Sequence, residues 1–197
     1  MSFHREEPKD FAFDADNIAK AKAIVAKYPE GKSRSAVMPL LDLAQRQLGG
    51  WLPRVAMDYV ANYLSLEPIK VYEVANFYTM YNKKPVGRHH VQVCTNLPCW
   101  LRGSDQVVSA CKKTLGIGVG ETTPDGMFTL SEVECAGACV NAPVAAINDD
   151  YFEDLDEASI TRVLEAIKKG EKPKHGPQNG RMNSAPIGGP TTLKGEG

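Results

Sequence analysis

No stretch of the 197 residues approaches the ~18 unbroken apolar residues of a membrane-spanning helix, so no span is expected. Charge of one sign is also missing. Twenty-three Lys and Arg against 24 Asp and Glu leave a net charge of −1, which argues against a nucleic-acid footprint. The start, Met1 to Glu7, has acids at once and no apolar run, so neither a secretory signal nor an Arg-rich transit segment is expected. Histidines are few: His4, His89, His90 and His175, none beside a nucleophile or a carboxylate pair. No Ser-His-Asp or Cys-His constellation can be assembled, and no catalytic residue is expected in this chain alone. Internal repeats are absent. What is present is 43% hydrophobic content, enough for one or two cored domains, and five cysteines. That odd number, without a secretion signal, favours metal ligation over disulfides.

Four of the cysteines form two short pairs. Cys94-Thr95-Asn96-Leu97-Pro98-Cys99 is C-x4-C, and Cys135-Ala136-Gly137-Ala138-Cys139 is C-x3-C, with 35 residues between the pairs. Four thiolates in two loops are an S4 set for zinc or for iron–sulfur. Structural zinc favours tighter C-x2-C turns around one ion. Two wider loops suit a [2Fe–2S] rhomb with one iron per loop. The small Ala136-Gly137-Ala138 filling lets backbone N–H groups approach the sulfurs. Cys111 lies at core spacing in a helical stretch and reads as a small buried hydrophobe. Rieske ligation needs C-x-H pairs, which are lacking.

The segments Cys94 to Ser104 and Glu134 to Pro143 resemble the [2Fe–2S] subunit of NADH:quinone oxidoreductase, respiratory complex I (the NuoE family), whose relatives serve some hydrogenases and formate dehydrogenases. The resemblance covers about Ser33 to Lys169. It implies Cys94, Cys99, Cys135 and Cys139 as ligands of a [2Fe–2S] cluster and a thioredoxin-like fold. It also implies a partner subunit that carries FMN and oxidises NADH, among other peripheral-arm subunits. The location implied is the cytoplasmic face of a bacterial inner membrane, or the matrix side in a mitochondrion. Asn96-Leu97 stands where small hydroxylated residues are expected, which bears on loop hydrogen bonding.

The fold class expected is α+β, a small N-terminal helical bundle followed by a thioredoxin-like [2Fe–2S] ferredoxin domain. Residues 1–86 hold an irregular arm and the bundle. Asp14 or Asp16 caps a first helix with Ile18, Ala21, Val25 and Tyr28 as its stripe. Ser33 or Ser35 caps a second, with Pro39 in its first turn. Pro53 and Pro68 open a third and a fourth, the last apolar on more than one side and expected to be buried. The helix-turn-helix of the last two would admit a DNA-binding sensor, but Lys70 is offset by Glu73 and no basic face exists.

Residues 87–170 form the second domain. His89 to Val93 alternates as a strand that delivers Cys94, and Cys99 to about Leu115 is expected as one helix. The glycine run Gly116 to Gly120 follows a helix rather than a strand, so it reads as a helix stop, not a dinucleotide cradle. Thr122-Thr123 and Met127–Val133 are expected as a hairpin, as are Val144–Asn148 and Tyr151–Glu153 around Asp149-Asp150. Asp156 caps a last helix that ends at Gly170. Pro143 sits where thioredoxin-like folds keep a cis proline, although trans is the default for an X–Pro bond. Residues 171–197 are Pro, Gly and small polar residues, expected as an extended tail that lies along a partner subunit.

Overall fold

The computed structural model describes residues 6–186, 188, 189 and 192. These fall into two units that divide between Arg88 and His89, two residues beyond the boundary read from Pro85-Val86-Gly87. The first unit is helical. Helix α1, Ala15–Val25, starts where Asp14 accepts the Asn17 backbone N–H at 2.8 Å. Helix α2, Val37–Gln47, carries no side-chain cap. Ser33 to Ala36 forms a short 3-10 turn instead, so the expected Ser33 or Ser35 cap is corrected: the backbone enters the helix from a tighter turn. Helix α3 is Arg54–Tyr63 and helix α4 is Pro68–Phe77, each beginning at its proline signal. Leu40, Leu41, Ala44, Leu52, Ala56, Val60, Val71 and Ala75 make the core. Phe13, from the segment expected as an irregular arm, is buried with it, and its ring meets Tyr59 edge-on at 5.2 Å.

Helix α4 departs from expectation. Val71 and Ala75 are buried, but Ile69 is 56% and Phe77 79% exposed. A ten-residue helix resting on α2 and α3 covers one stripe only, whatever its other faces carry.

The second unit holds a mixed five-stranded sheet. Its strands are β1 (His89–Cys94), β2 (Phe128–Val133), β3 (Ala145–Ile147), β4 (Asp150–Glu153) and β5 (Gly176–Pro177), in the order β2-β1-β3-β4-β5. β1 and β2 run parallel, joined by a helical crossover as parallel neighbours require. The crossover is two helices rather than the one expected: α5, Leu97–Leu101, and α6, Ser104–Leu115. Gly103 separates them at φ +96°, a left-handed conformation that a continuing helix cannot contain. Gly116, also left-handed at φ +69°, stops α6 as expected.

The first expected hairpin forms only as a short antiparallel contact: Thr122 bridges Thr129 and Thr123 N–H donates to Phe128 O at 2.8 Å, while β2 pairs along its length with β1 on its other side. The second forms as β3 and β4, with Asp150 inside β4 rather than in the turn. The Ala142–Pro143 bond is cis, against the trans default. Helix α7, Glu157–Lys168, packs on α6, and both share one core with the sheet through Val107, Cys111, Phe128, Leu130, Ile160 and Leu164.

The expectation of a coreless extended tail is corrected over its described part. Residues 176–177 add β5 to the edge of β4, Gln178 N–H donates to Glu153 O at 2.9 Å, and Arg181 pairs with Asp154. A strand needs only backbone groups to join a sheet edge, so poverty in apolar residues does not prevent docking. Residues 187, 190, 191 and 193–197 of the expected tail lie outside the described residues, as do residues 1–5 of the expected arm.

Asp156 caps α7 in a reciprocal box: its carboxylate accepts Ser159 N–H at 2.7 Å, and Ser159 Oγ accepts Asp156 N–H at 2.8 Å. Asp156→Ala is expected to cost about 1 kcal/mol. The Ser159 hydroxyl first, then the Ser159 amide, hold the Asp156 carboxyl below its ordinary range. Its folded pKa is therefore depressed. The stabilisation is complete above about pH 4 and fades as pH falls through the folded value. Urea midpoints of the parent and Asp156→Ala should differ at pH 7 and converge in acid.

Candidate metal centre

Both cysteine pairs leave the same end of two adjacent parallel strands. Cys94 is the last residue of β1 and stands opposite Val133, the last residue of β2. The C-terminal ends of parallel strands are where open α/β sheets place their ligands. Cys94 N–H donates to Val144 O at 3.0 Å and Thr95 N–H to Val133 O at 3.2 Å, which ties the first loop to both neighbours. Cys99 lies in the short helix α5. Cys135 follows β2, and Cys139 opens a 3-10 turn, Cys139–Asn141.

The two pairs differ in burial: Cys94 and Cys99 are buried, Cys135 and Cys139 exposed. Cys135 Sγ and Cys139 Sγ stand 3.6 Å apart. Two sulfurs bound tetrahedrally to one metal at about 2.3 Å stand about 3.8 Å apart, so this pair is already spaced to share an ion. Cys94 and Cys99 share one buried cluster with Ala142 and Val144. The pairs also sense each other, since charge on Cys139 acts on Cys99 and charge on Cys94 acts on Cys139. Among the described residues, no three His, Cys, Asp or Glu side chains form a group that could hold a single ion.

Burial, then the Cys94 thiol, pushes the Cys99 thiol up to about 12. The Cys135 thiol, then burial, raises Cys139. Without a cation these groups keep their protons, and a metal would have to displace them. Four soft sulfur donors in two loops are a set that fits a thiolate-bound cluster. Cys111 is also pushed up to about 12, by burial alone, and sits inside the core between α6 and the sheet. It has the environment of an inert core thiol.

The loops carry supports that sequence reasoning misses. Gly137, left-handed at φ +78°, donates its N–H to Cys135 Sγ at 3.4 Å, the kind of contact that the small-residue filling promises. Asn96 Nδ2 donates to Glu134 Oε2, linking the first loop to the second. Tyr151 Oη donates to Ala136 O at 2.9 Å. The unexpected Asn96 is the one signal of these supports in the sequence. Nothing there singles out Tyr151. Two histidines have other partners: His90 Nε2 meets Ser131 Oγ at 2.8 Å, and His175 Nδ1 lies 3.4 Å from Asp150 Oδ1.

The model of the thioredoxin-like [2Fe–2S] ferredoxin family matches residues 21–168, from within α1 to the end of α7. The chain is 56% identical over 159 residues to a NADH-quinone oxidoreductase subunit from Rickettsia conorii, covering 81% of this chain and 95% of that one. It is 52% identical over 187 residues to the mitochondrial NADH dehydrogenase [ubiquinone] flavoprotein 2 of Dictyostelium discoideum, covering 95% of this chain and 76% of that one. Its fold is similar to part of an NAD+-reducing [NiFe]-hydrogenase, with a TM-score of 0.56 at 24% identity over 66% of this chain and 23% of that chain. Because the family model spans most of both units and the relatives are identical to it at more than half of the aligned residues, the chain belongs to the thioredoxin-like [2Fe–2S] ferredoxin family.

Proposed function

We propose that the chain is an electron-transfer subunit of an NADH:quinone oxidoreductase and that Cys94, Cys99, Cys135 and Cys139 hold its [2Fe–2S] cluster. The observation that carries this reading is the pairing of the sulfurs: one pair on the β1 loop and one on the β2 loop, at one end of the sheet. Each pair suits one iron. Structural zinc favours tighter C-x2-C turns than these two loops offer. When bound, the cluster accepts and returns one electron at a time.

The chain's own groups then do three things. The thiols give up their protons to become ligands. Burial of Cys94 and Cys99 keeps one side of the centre out of water, while Cys135 and Cys139 leave the other side open to a donor. The Gly137 N–H directed at Cys135 Sγ offsets negative charge on that sulfur, and such contacts tune potentials.

The electron donor we assign is a partner subunit with FMN and an NADH site. This chain's glycine run closes α6 and opens no helix, so it is not the nucleotide cradle. Apolar side chains support a docked partner: Leu97, Trp100 and Leu101 on α5 and Val140 beside Cys139 are exposed next to the ligand residues. Among the described residues no helix is long and apolar enough to cross a membrane. We assign the chain to the peripheral arm of a membrane complex, at the cytoplasmic face in bacteria or the matrix side in mitochondria, a reading supported by the names of its relatives. An equivalent subunit of an NAD-linked hydrogenase or formate dehydrogenase is the second reading, favoured only by the fold likeness above.

Hydride transfer moves two electrons and the centre takes one, so a flavin must stand between NADH and this chain. The isolated, cluster-loaded protein is expected to stay oxidised with NADH, to bleach with dithionite, and to bleach with NADH once the flavoprotein is added. Visible absorption checks all three. Bleaching by NADH in the flavin-free chain would overturn the assignment of the nucleotide site to the partner. A colourless chain after iron and sulfide loading would overturn the cluster reading.

A further inference from the structure

We propose that Arg181, in the C-terminal segment, is a positioning residue for the Cys139 loop. The inference rests on the reading of Cys139 as a cluster ligand.

Ala136, Gly137 and Ala138 give the loop no long side chain with which to anchor itself. Its supports must come from outside. Tyr151 takes the Ala136 carbonyl on one side. On the other side is the carbonyl of Val140, the residue after Cys139. Arg181 Nη1 and Nη2 both donate to it at 3.3 Å. Nη1 also reaches Ala185 O at 3.5 Å, and Nη2 donates to Asp154 Oδ1.

Asp154 closes the network. Its Oδ2 accepts Asn141 Nδ2 at 3.1 Å, and its own N–H donates to Asn141 O at 2.7 Å. Asn141 Nδ2 also donates to Asn183 O at 2.8 Å, a second contact from the C-terminal segment. Thus Val140 and Asn141, the two residues after Cys139, are held by Arg181, Asn183 and Asp154.

The pair is not a surface ornament. The Arg181 and Asp154 side chains are 8% and 3% exposed, whereas Lys70–Glu73 and Arg46–Asp42 stand largely in water. Exposed pairs contribute little, but a buried pair fixes its surroundings because neither charge can be left alone. A planar guanidinium can serve a carboxylate and a carbonyl at once, and an ammonium matches that fork poorly. The exposed side of the centre is therefore steadied by a segment more than 40 residues away in the chain.

The test uses the full-length chain loaded anaerobically with ferrous iron and sulfide. Arg181→Lys keeps the charge and loses the fork. Arg181→Met combined with Asp154→Asn removes both charges, so that no orphan charge unfolds the domain. Iron release to a chelator, the electron paramagnetic resonance spectrum of the dithionite-reduced cluster and the circular dichroism melt are recorded for each. Iron release is expected to be about 10–100-fold faster in the double variant, as for other lost supports of metal ligands. The resonance spectrum should be altered, with Arg181→Lys in between. Parent-like release and an unchanged spectrum in both variants would overturn the proposal. If the double variant does not fold, Arg181→Lys decides by the same readouts. A parent chain with no signal after loading would overturn the cluster reading itself, which is a different result from parent-like variants.

Discussion

Alanine at any one of Cys94, Cys99, Cys135 or Cys139 is expected to abolish the cluster, while Cys111→Ala keeps it. A lost thiolate leaves one iron with an open position. The result should be loss of visible colour and of the resonance signal after loading with iron and sulfide. Cys111 faces the core under α6, where its sulfur is a small apolar filler. Its replacement should cost about 1 kcal/mol of stability and leave the spectrum as it was. Among the ligands, Cys99→Ala carries an added penalty, because this site is buried and the missing sulfur leaves a gap, whereas Cys139 is at the surface. A bleached Cys111→Ala beside a coloured Cys99→Ala would reverse the assignment.

Phe128→Ala is expected to remove about 3–5 kcal/mol from the stability of the sheet unit. Phe128 opens β2, is 1% exposed and belongs to the core between the sheet and α6 and α7. Against the roughly 5–15 kcal/mol that holds a typical domain together, such a loss leaves little margin. Urea unfolding followed by circular dichroism measures it. The effect should reach the metal centre as well. β2 is an outer strand that pairs along its length with β1 alone, and the Cys135 loop begins two residues after it. Loosening the core end of β2 frees the strand that carries Cys135, so the variant should also lose iron faster than the parent. A cost under about 1 kcal/mol would show that the ring is not the packing element described.

Three of the four helices of the first unit are legible in the sequence by a start signal, and α2 by its apolar stripe. Asp14, Pro53 and Pro68 mark entries, and Ala21, Leu41, Val60 and Val71 fall on the covered faces. The same pattern misjudges α4. Ile69 and Phe77 are apolar, yet a stripe says nothing about whether a neighbour exists to cover it. The break at Gly103 escapes sequence reading because glycine inside a helical pattern is tolerated at modest cost, and only its left-handed backbone reveals the corner. Thr122 and Met127 to Val133 look like a hairpin because a turn joins them. That contact forms only briefly, and the parallel partner β1, more than 30 residues upstream, pairs with β2 along its length.

What the amino-acid order determined by itself is the chemistry of the centre: four thiols in two short loops, small residues between the second pair, and a fifth thiol at core spacing. These are local facts, carried by spacing and by residue type. Tertiary structure alone decided which pair is buried, that Asn96 meets Glu134, and that the C-terminal segment is docked on the sheet. Residues 171–186 have almost no apolar content, and composition alone therefore speaks for an extended tail. The segment docks because a strand edge offers hydrogen bonds to any backbone, and because Asp154, buried and charged, requires a cation that only Arg181 supplies among its described contacts. Local periodicity reports faces of helices and strands. It carries no information about a partner 27 residues away, whose fit depends on where the folded sheet leaves a buried carboxylate.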